Sequence, residues 1–146
     1  CQRAQQGRLF QMGQGKNRVD VTHVDNVVLA HVLALNSLIK NPAACSGRPY
    51  FIGQEHPVLL WEFINAILEK KKLAPVNKII SARVAYAMAT VFEFIFRLFR
   101  IYHKDPPLTR FTVMQMTMSH YYSHHQAKTL LGYAPKTTIE QAWEII

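Results

Sequence analysis

Apolar and polar positions follow two periods along this chain. Val19, Val21 and His23 alternate with Asp20 and Thr22, the two-residue period of a strand, and predict one over Val19 to Val24. Asp25 then stands where a helix N-cap belongs. From Val27 to Ile39 nearly every position is apolar, so this helix should be buried on most sides. Upstream, Leu9 to Met12 is an apolar run closed by "GQGKN", a turn built on Gly13 and Gly15. Downstream, Pro42 and Gly47 break the helix, and "RPYFIG" reads as a second short strand.

The second half of the chain has helical periods. Pro57 suits the first turn of a helix on which Leu60, Phe63, Ile64, Ile67 and Leu68 form one stripe, with Lys70 to Lys72 at its C-terminal end. A long helix is predicted from Ser81 to Ile101, stopped by "HKDPP". Its polar residues Arg83, Tyr86, Thr90, Glu93, Arg97 and Arg100 are spaced 3, 4, 3, 4 and 3 apart, one narrow stripe on which Glu93 and Arg97 can pair. Ser123 with Gln126 and Thr138 with Gln141 have capping-box spacing, and Gly132 is a helix terminator. Strands come early and helices late. The expectation is an α/β fold: residues 1–55 as the tail of a sheet and 56–146 as a mainly helical lobe, together one incomplete domain. The opening "CQRAQQGRLF", without Met, reads as a helix tail leading into a strand, so a fragment is expected.

Composition narrows the class. The 146 residues are 49% hydrophobic and 18% charged, which excludes a disordered chain. The net charge of +8 favours an anionic partner, such as nucleic acid, phospholipid or a phosphorylated small molecule, or is a solvated basic surface. Two cysteines, Cys1 and Cys45, are too few for a disulfide framework and point mildly to a reducing compartment. No nucleic-acid-binding motif appears, and the aromatic residues concentrate in an apolar helix, so nucleic acid is not expected as a partner.

Complete catalytic motifs are missing. "GQGKN" has two glycines and leads into a strand, the wrong context for a dinucleotide fingerprint. No Tyr-x-x-x-Lys pair, G-x-S-x-G elbow or H-E-x-x-H motif is present. His120, His124 and His125 cluster, but Ser123 is the better cap and no Cys, Asp or Glu stands beside them, so no metal is expected. His23 either bonds a backbone group at its strand–helix joint or lines a pocket. Asp25 reads as a cap in preference to a catalytic acid.

Four segments in order carry a resemblance: "GQGKNRVDVTHVDNVVLAHVLAL", "GRPYFIGQEHPVLLWEFINAIL", "PPLTRFTV" and "HYYSHHQAKTLLGYAPKTTIEQA". Together they resemble the C-terminal part of the 3β-hydroxysteroid dehydrogenase family, extended short-chain dehydrogenases/reductases, and look most like its sterol-4α-carboxylate 3-dehydrogenase branch. The resemblance implies the C-terminal part of a Rossmann-like fold with a helical substrate-binding lobe. It implies NAD or NADP as cofactor of the whole enzyme, with the glycine-rich loop and the Tyr/Lys pair lying outside this sequence. On that reading the chain alone holds no catalytic or cofactor-binding residue, binds no cofactor by itself, and neither turns over an alcohol nor folds robustly. The substrate would be an apolar steroid or sterol whose 3β-hydroxyl is oxidised to a ketone. Met12, Arg18, His23 and Tyr121 are the substrate-lobe candidates. Val19 stands where related sugar-nucleotide enzymes carry Arg, with Arg18 one residue earlier, which argues against a sugar-nucleotide substrate.

Other readings remain open: a non-enzymatic binding or membrane-associated module, or an extended short-chain dehydrogenase for a non-steroid substrate. A homodimer is expected of the complete protein. The long helix should lie on a membrane surface or line an apolar-substrate lobe without spanning a bilayer, because Glu93 and Arg97 interrupt the roughly 20 apolar residues a span needs. The expected location is accordingly the cytoplasmic face of a membrane, the endoplasmic reticulum in a eukaryote, or otherwise the cytoplasm.

Overall fold

A computed structural model describes residues 9–145. The chain divides into two compact units that interleave along the sequence: Cys1–Val19 with Val58–His120, and Asp20–Pro57 with Tyr121–Ile146.

In the first unit, β1 (Gln11–Met12) pairs in parallel with β4 (Ile79–Ile80), and β2 (Arg18–Val19) pairs antiparallel with β3 (Val58–Leu59). Three helices complete the unit: α3 (Leu60–Lys70), α4 (Ala82–Leu98) and α5 (Arg110–Thr117). Side chains alternate across β1, so Met12 enters a core with Trp61, Leu68, Val76, Ala85, Ala89, Leu108 and Val113, while Gln11 faces away. The two buried alanines of α4, Ala85 and Ala89, let this core approach its backbone closely.

Glu93 on α4 joins α4 to α5. Its carboxylate accepts the main-chain N–H of Arg110 at 2.7 Å and the Arg110 Nε–H at 2.6 Å. The expected Glu93–Arg97 pair is therefore replaced by one 17 residues away. Arg110 is the first residue of α5, where an unpaired N–H and the positive helix end both attract a carboxylate. First that N–H, then the guanidinium, hold the Glu93 carboxyl below its ordinary pKa. A carboxylate with a lowered folded pKa contributes stability above its unfolded pKa and loses it as pH falls through the folded one. Glu93→Gln should therefore melt below the parent at neutral pH, with the gap closing as pH drops through the carboxylate range. A gap independent of pH in thermal melts would contradict the pair.

The second unit holds α1 (Val24–Lys40), α2 (Pro42–Cys45), α6 (His125–Leu131) and α7 (Ile139–Ile145). Its core is Ala30, Cys45, Ala127, Leu131 and Tyr133, flanked by Leu33, Ala34, Tyr50 and Ile52. Gly132 ends α6 in the left-handed conformation, as expected. Thr138 and Gln141 form the reciprocal capping box before α7, N–H to Gln141 Oε1 at 2.9 Å and N–H to Thr138 Oγ at 3.2 Å. At α6 the Ser123 hydroxyl instead accepts from the His125 N–H, one residue short of the box. Buried Tyr133 donates its hydroxyl to Gly53 O at 2.9 Å. Tyr133→Phe should cost about 1 kcal/mol, the net worth of one buried hydrogen bond, in chemical denaturation.

Several expectations change. Of the strand predicted over Val19 to Val24 only Val19 is paired, in β2 with Arg18 before it, because residues 20–23 meet no partner strand among the described residues. "RPYFIG" is not a strand either: Ile52 O accepts from the Thr22 hydroxyl and Gly53 O from Tyr133. Pro57 precedes β3 and not a helix. The helix α1 is far from buried on most sides. Only Asn26 and Ala30 are buried, and Val24, Val28, Val32, Leu35 and Ile39 form an exposed second stripe.

Candidate functional site

The first unit contains an open cleft of about 1190 Å³ where three sequence-distant pieces meet. One wall is the turn after β1, Gly13 to Asn17, and another is the β4–α4 joint, Ile79 with Ser81 to Arg83. Thr117 and Ser119, at the end of α5, supply the third. Glycine is needed at Gly13 and Gly15, which have φ of +74° and +76° and turn the chain back from β1 toward β2. The Gly13 N–H donates to Ile80 O at 2.8 Å, which ties the turn to the strand that feeds α4.

Lys16 and Arg83 are exposed cations on this lining, which includes no carboxylate. Ser81 caps the 17-residue α4 without a side-chain hydrogen bond. Ser81 to Arg83 put the N-terminal end of α4, the positive end of its dipole, on this lining. Asn17 is 5% exposed, and neither its Nδ2 nor its Oδ1 has a hydrogen-bond partner. Its main-chain carbonyl is occupied by the Leu60 N–H at 3.1 Å. An unpaired buried carboxamide costs roughly 1–3 kcal/mol per group, so natural chains keep one where it has a use.

The residues predicted for the site divide between the units. Met12 is a core residue of the first unit, one position out of phase with the cleft. Arg18 is exposed on β2, its main-chain N–H donating to Ser119 Oγ at 2.9 Å. His23 belongs to the second unit and is the N-cap of α1: its Nδ1 accepts the Asp25 N–H at 3.3 Å. Asp25 is thus not the cap but the second helical residue, 3.4 Å from the His23 ring. Tyr121, also in the second unit, is exposed, beside a Phe51–Tyr122 stack with centroids 4.3 Å apart. In that unit Asp20 Oδ2 accepts the Tyr122 N–H at 2.8 Å, which gives the aspartate a structural task. Among the described residues no three His, Cys, Asp or Glu side chains group as metal ligands.

The sequence reading missed Lys16, Asn17, Ser81 and Arg83 as a group. "GQGKN" was visible, but its partner lies more than sixty residues on, and no local period links the two.

The profile of the 3-beta hydroxysteroid dehydrogenase/isomerase family matches residues 1–82, more than half of the sequence. The chain belongs to that family. Among its relatives, the 2-alkyl-3-oxoalkanoate reductase of Stenotrophomonas maltophilia is 40% identical over 97% of this chain and 42% of its own length. The mouse sterol-4-alpha-carboxylate 3-dehydrogenase, decarboxylating, is 32% identical over 97% of this chain and 39% of its own. Human short-chain dehydrogenase/reductase family 42E member 1 is 35% identical over 85% of this chain and 32% of its own. The chain thus spans about two fifths of the length of the first two relatives. The crystal structure of gox2253 superposes with a TM-score of 0.55 over 91% of this chain and 37% of that one at 24% identity, a likeness of fold. The α/β class and the extended short-chain dehydrogenase/reductase relationship both stand.

That relationship implies a nicotinamide cofactor, and the described residues do not fit one. A dinucleotide cradle needs a glycine loop that opens directly into a helix facing the pyrophosphate. Here the glycine turn leads into β2, and Ser81, not glycine, opens α4.

Proposed function

We propose that this chain is the substrate-side portion of an NAD(P)-dependent oxidoreductase that interconverts a hydroxyl and a ketone one carbon removed from a carboxylate-bearing carbon. The observation behind this reading is a shared chemistry in two relatives' names. A 3-oxoalkanoate and a sterol with a 4-carboxylate and a reacting position 3 both place the redox carbon β to a carboxyl carbon, on a large apolar body. A steroid or sterol remains the narrower choice. The open-chain acid is favoured over it by 40% against 32% identity. The test is nicotinamide absorbance with the intact gene product, offered a 2-alkyl-3-oxoalkanoate with reduced cofactor and a 3β-hydroxy-4-carboxysterol with oxidised cofactor. Turnover of either supports the reading and chooses the body. Turnover of neither, with the protein folded, favours the non-enzymatic module.

A membrane surface is the partner this reading gives α4. Val84, Met88, Val91, Ile95 and Leu98 form an exposed stripe at helical spacing, continued by Phe99 and Tyr102. Arg97, Arg100 and Lys104 flank its C-terminal end and suit anionic headgroups. Among the described residues no helix is long and apolar enough to cross a membrane. Flotation with vesicles containing anionic lipid should carry the protein upward, and replacement of Val91 and Ile95 by Asp should abolish it. Equal flotation of that variant would refute the surface-lying helix.

A further inference from the structure

We propose that the cleft at the β4–α4 joint is the subsite for a substrate carboxylate, held by Arg83 and Lys16 with the first turn of α4 and the Asn17 carboxamide. This rests on the functional reading above and adds the residues that recognise the acid group.

Three observations converge. The lining residues carry two cations and no anion. They include the start of a 17-residue helix whose N-cap Ser81 makes no side-chain capping bond, so the dipole's positive end stays available. Independently, Asn17 is 5% exposed, lines the same cleft, and has both carboxamide atoms unpartnered. A carboxamide can donate to one carboxylate oxygen, while a guanidinium fork matches both. The wall around these groups also includes the apolar side chains of Ile79 and Ala82. Ile79 is 66% exposed and gives the carbon chain next to an acid group something to lie against. A free phosphate would use the cations and leave that apolar wall without a role.

The test is calorimetric titration of the full chain with 3-hydroxydecanoate, its methyl ester and inorganic phosphate. The acid should bind more tightly than the ester or phosphate. Lys16 and Arg83 are exposed, so the double variant Lys16→Gln with Arg83→Gln should fold, as checked by circular dichroism, and lose about tenfold or more of acid affinity with little change for the ester. Asn17→Leu should weaken acid binding yet raise the melting temperature, because it removes an unpaired buried carboxamide. A fall in melting temperature would mean that the carboxamide has a structural task instead. Acid binding that the double variant leaves unchanged, or no acid binding at all, would overturn the subsite without touching the oxidoreductase reading. Phosphate binding tighter than the acid's and dependent on Lys16 and Arg83 would overturn the carboxylate assignment. Conversely, acid binding that depends on these residues, in a protein that turns over neither substrate, would uphold the subsite and overturn the activity.

Discussion

Asn26→Ala should destabilise the second unit by about 3–5 kcal/mol, the largest loss expected of any single polar substitution here. Asn26 is 0% exposed, near the start of α1, and uses its whole carboxamide. Its Oδ1 accepts from the Lys136 N–H at 2.9 Å and the Thr137 N–H at 3.0 Å. Its Nδ2 donates to Thr137 O at 2.8 Å and Gln54 Oε1 at 3.3 Å. One side chain thus ties α1 to the segment that leads into α7, about 110 residues on. Alanine leaves the part-buried main-chain N–H groups of Lys136 and Thr137 without this partner, and an orphaned group of this kind costs roughly 1–3 kcal/mol where water does not reach it. Asn26→Asp keeps the acceptor but loses the donors and buries a charge, so it should be little better. Urea unfolding followed by Trp143 fluorescence in a Trp61→Phe background reports on this unit. A loss under about 1 kcal/mol would mean that water replaces the carboxamide.

Trp61→Ala should cost the first unit a comparable 3–5 kcal/mol, roughly the usual penalty for emptying a buried aromatic site. Trp61 is 4% exposed among Met12, Leu68, Val76, Ala85 and Leu108. Its indole N–H donates to Met116 O at 3.3 Å, at the end of α5. Alanine would open a cavity and orphan that carbonyl, while Trp61→Phe should keep most of the packing and lose the hydrogen bond. Phenylalanine should therefore cost about 1–2 kcal/mol. The two variants are compared by denaturation. Equal losses would assign the stability to the hydrogen bond alone and refute the packing argument.

Both effects follow from residues whose importance the sequence shows unevenly. Trp61 lies in an apolar helix, so its burial is unsurprising. Asn26 sits beside the expected helix cap and looks like an ordinary first-turn polar residue. Its role appears only when residues 136 and 137 are folded against it. Lys16, Asn17 and Arg83 were hidden in the same way, since a cleft made by a turn and a distant helix start has no signature in either alone.

What the sequence determined by itself is the set of local structures whose physics is local. The helices over α3, α4 and α7, the Gly13–Gly15 turn, the Gly132 stop and the Thr138–Gln141 box all depend on residues within one turn of each other. Motif order likewise carried the family. The tertiary structure decided what depends on a distant partner. Residues 20–23 and "RPYFIG" have strand-like patterns but meet no ladder, because a strand exists only where another chain segment takes its N–H and C=O groups. His23 rather than Asp25 caps α1, because the imidazole Nδ1 lies within reach of the Asp25 N–H where the chain turns. Glu93 chose Arg110 over Arg97 because the start of a second helix offers a main-chain N–H and a dipole as well as a guanidinium, and an exposed i, i+4 pair offers one weak attraction.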